Sequence, residues 1–78
     1  MARLRNRVRE VRESLGKSAA EVSEAANLSR TTIGYVEREE MVPSGTVMLR
    51  IAEALGTTVQ DLFWSEPSQA EPVEAAAS

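Results

Sequence analysis

The strongest constraint on this chain is how often its helices are told to stop. Gly16, Asn27, Pro43 and Gly56 each end a run of helix-compatible residues, and Ser18, Ser29, Ser44 and Thr58 each follow within two positions. Gly and Asn readily take the left-handed conformation that closes a helix, and Pro cannot continue one. Ser and Thr hydroxyls accept the unpaired amide hydrogens that open the next helix. A chain punctuated this way makes short helices around one small core. It cannot make a long coiled coil, and it nowhere reaches the roughly 18 consecutive apolar residues of a membrane span.

Between the stops the apolar spacing is helical. Leu4, Val8, Val11 and Leu15 recur at intervals that place them on one face of a first helix, stopped at Gly16. Ser18 with Glu21 three positions on is a capping box, opening a second helix with Val22, Ala25 and Ala26 inward. Asn27 takes the turn, Leu28 plugs it, and Ser29 caps a third helix in which Ile33 and Val36 share a face and Thr32 and Tyr35 lie on others. Ser44 caps a fourth, with Met48, Ile51, Ala52 and Leu55 inward. Thr58 with Asp61 opens a short fifth, with Val59, Leu62 and Phe63. Strand candidates are too short to matter, so the expected class is all-α, a five-helix domain over residues 1–65. Residues 66–78, rich in Ser, Glu, Pro, Gln and Ala, read as a flexible tail.

Charge is the next constraint. The chain has 78 residues and a net charge of −3, which at first sight argues against a nucleic-acid partner. The excess is not evenly spread. Residues 1–64 hold all 9 basic residues against an equal number of acidic ones, and Glu66, Glu71 and Glu74 supply the difference. The first twelve residues carry Arg3, Arg5, Arg7, Arg9 and Arg12 against Glu10 alone. Such a run is either a solvated helix face or an arm facing phosphates, for which the planar guanidinium is well suited. The chain has no Cys and no His, which removes thiolate chemistry, the commonest metal ligands and the commonest general base. No metal and no cofactor is expected. Glu21 with Glu24, and Glu37 with Glu40, sit three apart, but such pairs are far more often solvated charge than an acid–base dyad. An enzyme is therefore disfavoured. The basic start has no apolar segment behind it, so no export signal is read and the cytoplasm is the default.

The functional outline is helix, short turn, helix over residues 18–38. With Ser18–Glu21, Leu28, Ser29-Arg30, Thr32-Ile33, Val36-Glu37-Arg38, Val42-Pro43-Ser44, Ile51–Gly56 and Asp61-Leu62-Phe63 in this order, residues 4–64 resemble the Cro/cI-type (Xre-type) helix-turn-helix domain. The resemblance implies the lambda-repressor-like fold, a recognition helix from Ser29 to about Arg38, and double-stranded DNA as partner. It implies base contacts from Arg30, Thr31 and Tyr35. Arg30 is long and forked enough for guanine, and Thr31 short enough for a thymine methyl. The plainer alternatives are a solvated Arg30 and a core Tyr35. Arg7, Arg9, Lys17, Ser18, Ser29, Thr32 and Arg38 are candidate phosphate contacts. Arg12 and Glu37 match a structural ion pair. Gly34 suggests a close approach on the third helix.

Three departures stand out. Ala19 occupies a position where the family has a phosphate-gripping Gln, Lys17 replaces an aliphatic residue, and Glu39-Glu40 replaces a Gly and a basic or polar residue. Two carboxylates there would repel phosphate. The apolar end, Val59, Leu62, Phe63 and Trp64, is a candidate dimer interface, unless Phe63 and Trp64 close the monomer's own core. Two functions follow. The first is a sequence-specific transcriptional regulator, a repressor binding a two-fold operator as a homodimer. The second is a protein-interaction module on the same fold, of antitoxin or anti-repressor type, with a protein partner and weak DNA binding.

Overall fold

A computed structural model of the protein describes residues 2–67. In chain order it contains β1 (Ala2–Asn6), α1 (Val8–Ser14), α2 (Ala19–Ala26), α3 (Arg30–Glu37), α4 (Gly45–Leu55), α5 (Val59–Leu62) and β2 (Phe63–Pro67). The helices start where the hydroxyls are. Ser18, Ser29, Ser44 and Thr58 each accept the amide hydrogen three residues on. At Ser18 the bond is reciprocated by Glu21, which completes the capping box.

The helix ends follow one rule. After α1, α2, α3 and α4 the residue with positive φ is Gly16 (71°), Asn27 (59°), Glu39 (61°) and Gly56 (72°). In each case the next amide reaches back five residues: Lys17 to Arg12, Leu28 to Ser23, Glu40 to Tyr35 and Thr57 to Ala52, at 2.8–3.1 Å. These are Schellman closures. Three of the four use a residue that tolerates the left-handed region well. Glu39 does not.

The core is made by Val8, Val22, Ile33, Val36, Ile51, Ala52, Leu55, Leu62 and Phe63, with Leu4, Val11, Leu28 and Met48 packed partly against it. α2 lies between α3 and α4, so the turn at Asn27–Leu28 fixes the angle at which α3 is presented. No helix among the described residues is long and apolar enough to cross a membrane.

Several expectations are corrected, the smallest being Ala25, expected inward on α2 but exposed. The fold is not purely helical: β1 pairs antiparallel with β2, in the register Ala2↔Pro67, Arg3↔Glu66, Leu4↔Ser65, Arg5↔Trp64 and Asn6↔Phe63. Leu4 is therefore a strand residue rather than the first turn of a helix. α1 begins only at Val8, whose amide is taken by the Asn6 side chain at 2.9 Å. Leu15, expected inward, is the C-cap of α1 and is 48% exposed. The physical reason is cooperative: pairing with β2 lets Leu4 and Phe63 face the core together, which extending α1 backwards would not. Glu66 and Pro67 accordingly belong to β2 rather than to the tail. The rest of the expected tail, 68–78, lies outside the described residues.

Candidate nucleic-acid interface

α3 is amphipathic in a useful way. Ile33 and Val36 are buried, while Arg30, Thr31 and Tyr35 point away from the core and are exposed. The helix start is locked: the Ser29 hydroxyl accepts from the Thr32 amide at 3.0 Å and meets the Thr32 hydroxyl at 2.9 Å. Both hydroxyls thus hold the first turn of α3, which is the turn that aims Arg30.

Around this face α1, α2 and α3 form one concave surface. It is lined by Arg9 and Arg12 from α1, Ala19 from α2, and Arg30, Thr31, Gly34, Tyr35 and Glu37 from α3, with Arg38 at the helix end. The lining therefore holds four arginines and one acidic residue, Glu37. That carboxylate is not free: Glu37, its side chain 3% exposed, is held by Arg12 at 2.7 Å and by Arg9 at 3.3 Å. A second Arg12 nitrogen reaches Glu37 at 3.2 Å, and a third donates to the Lys17 carbonyl at 3.0 Å. The Arg12–Glu37 pair expected from sequence is thus a two-pronged bond that ties α3 to α1. A concave surface with fixed positive charge and a projecting helix suits a polyanion.

Gly34 has a local explanation. A Cβ there would lie 2.9 Å from a guanidinium nitrogen of Arg38, which folds back with its charge 5.6 Å from the Tyr35 ring centre. The close approach is made by the chain's own Arg38. That guanidinium is the far end of a flexible side chain and can move. Gly34→Ala should therefore raise the unfolding free energy by about 0.5–1 kcal/mol, from helix propensity. Urea unfolding followed by circular dichroism checks the sign.

The remaining expected contacts scatter. Lys17 and Ser18 lie at the α1–α2 turn, where Ser18 is engaged by Glu21. Arg7 is directed elsewhere: its guanidinium sits 4.7 Å from the Trp64 ring centre and its amide donates to the Leu62 carbonyl at 3.0 Å. Leu62 and Phe63, considered for a dimer interface, lie in the protomer's own core, and Val59 packs partly against it. Trp64 keeps 37% of its surface exposed.

Of the two departures at 39 and 40, one changes meaning. Glu39 turns away from the concave surface toward β1. Its carboxylate accepts from Arg5 at 3.1 Å, Arg3 at 3.2 Å and the Asn6 amide at 3.4 Å. Burial alone would push this carboxyl up, but the bonds from Arg5 and the Asn6 amide and the attraction of both arginines hold it below the ordinary 4.5. Its contribution to stability is therefore full above that value and is lost as pH falls through the folded value. Glu40 pairs with Arg38 at 3.1 Å, both about half exposed. Sequence reasoning missed Asn6, whose side chain donates to the Val36 carbonyl at 2.8 Å while accepting from Val8. An Asn two residues before a helix was the available signal.

Comparison with known proteins gives the same assignment independently. The helix-turn-helix family pattern matches residues 8–62, most of the chain. The chain belongs to the Cro/cI-type (Xre-type) helix-turn-helix family. This helix-turn-helix domain is 32% identical over 63 residues to the uncharacterized HTH-type transcriptional regulator YgzD of Bacillus subtilis (strain 168), covering 81% of this chain and 96% of that one. Its fold is similar to the restriction-modification controller protein C.AhdI of Aeromonas hydrophila, with a TM-score of 0.69 and 31% identity, covering 70% of this chain and 83% of that one. It is also similar to the clp gene regulator ClgR of C. glutamicum, with a TM-score of 0.65 and 28% identity, over 69% and 70% of the two chains.

Proposed function

We propose that this protein is a sequence-specific, DNA-binding transcriptional regulator that acts in the cytoplasm as a homodimer on a two-fold operator, repressing by occluding a promoter. The observation that carries the reading is the outer face of α3. There Arg30, Thr31 and Tyr35 stand exposed on a helix capped at one end and pinned to α1 at the other, with Arg9 and Arg38 beside them. The relatives support it, since all three are described as regulators or controllers. In a two-fold dimer the second α3 would lie about 34 Å away and enter the next turn of the same groove face.

The roles divide by chemistry. Arg30, in the first turn of α3, reads a base edge, with Thr31 and Tyr35 beside it. Arg9 and Arg38 hold phosphates, and the Ser18, Ser29 and Thr32 hydroxyls serve the caps first. Glu39 no longer argues for the interaction-module alternative, because its charge is neutralised by Arg3 and Arg5. Of the two, Glu40 alone stays near the DNA-facing side, paired with Arg38.

Selecting bound duplexes from a random pool with the full chain tests this reading. It should enrich one site made of two inverted half-sites a helical turn apart. A pool that stays unenriched contradicts sequence-specific binding, and a site without symmetry contradicts the dimer. Trp64 is the partly exposed aromatic of the β1–β2 end, so Trp64→Ser should shift sedimentation toward monomer at fixed concentration, and it should also lower the thermal transition of the protomer because the Arg7 stack is lost.

A further inference from the structure

The Schellman closure of α3 is the odd one among the four. At the corresponding position the others have Gly16, Asn27 and Gly56, whereas α3 has Glu39 at φ 61°. A β-carbon is disfavoured in that conformation, and a glutamate has no local hydrogen bond to offset it. What Glu39 has instead is a carboxylate only 17% exposed, held by Arg3, Arg5 and the Asn6 backbone amide. The left-handed turn is what aims that carboxylate at β1. Arg5 is shared: a second nitrogen of the same guanidinium binds Glu66 on β2. Asn6 adds a further tie, to the Val36 carbonyl in the last turn of α3. The ribbon of β1 and β2 is thus bonded to the end of the helix that carries Arg30, Thr31 and Tyr35.

We propose that Glu39 is a positioning residue for DNA reading, which fixes the pose of α3 against the β1–β2 ribbon, with Arg5 carrying the tie across to β2. Glu39 touches no base and no phosphate. It acts through the helix, and whatever engages or peels β2 alters the helix through Arg5. The proposal rests on α3 being the reading helix, so its test has an arm that needs no DNA.

The variants are Glu39→Gly, Glu39→Gln and Arg5→Met, each in the full chain. Glu39→Gly removes the strap and suits the backbone, so it should still unfold cooperatively. Arg5→Met breaks the strap from outside α3. Without DNA, both should speed amide hydrogen exchange at residues 38–40 several-fold and leave the matching α4 closure, residues 56 and 57, unchanged. With DNA, both should lower the preference for the selected duplex over a scrambled one by about tenfold. Affinity for the scrambled duplex, and its salt slope, should stay at the wild-type value, which separates positioning from a lost phosphate contact. Glu39→Gln, which keeps an acceptor for the Asn6 amide, should fall between. Unchanged exchange in Arg5→Met overturns the strap. An unchanged preference in both Glu39→Gly and Arg5→Met, with faster exchange, overturns its role in reading. If Glu39→Gly fails to fold, Arg5→Met alone decides by the same two readouts. If the wild type prefers no duplex, the DNA reading has failed and positioning for DNA falls with it, while the exchange arm still judges the strap.

Discussion

Arg12→Ala should lower the unfolding free energy by about 3 kcal/mol, the low end of what removing one partner from a buried pair costs. The reason is what it leaves behind. Glu37 is 3% exposed, and its bonds at 2.7 and 3.2 Å both come from Arg12. Arg9 remains at 3.3 Å, but its side chain is 56% exposed and it cannot follow the carboxylate inward without losing water. In a domain this small that loss corresponds to a fall in Tm of roughly 12–24 °C. The pair is a weak source of net stability even so, because both charges are taken from water. The double variant Arg12→Met with Glu37→Leu should therefore be more stable than Arg12→Ala. Urea unfolding of the three proteins checks both statements. A loss under about 1 kcal/mol for Arg12→Ala would mean that the pair behaves as an exposed one.

Arg30→Ala should weaken binding to the selected duplex by about 1–3 kcal/mol, roughly five- to 150-fold, and relax the base preference at one position of each half-site. Binding to scrambled duplex should hardly change. Arg38→Ala should do the reverse, weakening both duplexes alike and reducing the salt slope by about one. The two arginines stand at opposite ends of α3, so their contrast separates base reading from phosphate holding. Fluorescence titration of each variant against both duplexes measures it. Arg30→Ala losses that are equal on the two duplexes would assign Arg30 to the backbone instead.

The helical body was legible because each of its decisions is local. Ser18, Ser29, Ser44 and Thr58 cap the amides three residues on, and Gly16, Asn27 and Gly56 turn left-handed, each from its own chemistry. The buried faces of α3 and α4 followed from spacing for the same reason, whereas on α2 Val22 and Ala26 are buried and Ala25, read as inward, is exposed. The Arg12–Glu37 bond spans 25 residues and was available only through resemblance to a family. The ribbon was not legible, because its partners stand at opposite ends of the described chain and no local rule joins Leu4 to Ser65. A cue did exist: Arg3-Leu4-Arg5-Asn6-Arg7-Val8 alternates with period two as well as placing Leu4 and Val8 four apart. The four-residue spacing misled because Val8 and Val11 continue it. Glu39 was misread for a related reason: its sequence neighbours suggest a solvated acid, and only the fold brings Arg3 and Arg5 to it.

The net charge of −3 also reads differently in three dimensions. Glu37, Glu39 and Glu66 are each bonded to arginine. The arginines left facing outward on the concave side, Arg30 foremost, carry the contact with a polyanion. The most direct test of that claim is a titration of the full chain against the selected duplex and a scrambled one at two salt concentrations. Sequence-specific reading predicts affinity that falls with salt on both duplexes and a preference for the selected one of at least about a thousandfold at the higher salt. Equal affinity for the two duplexes at both salts would contradict it.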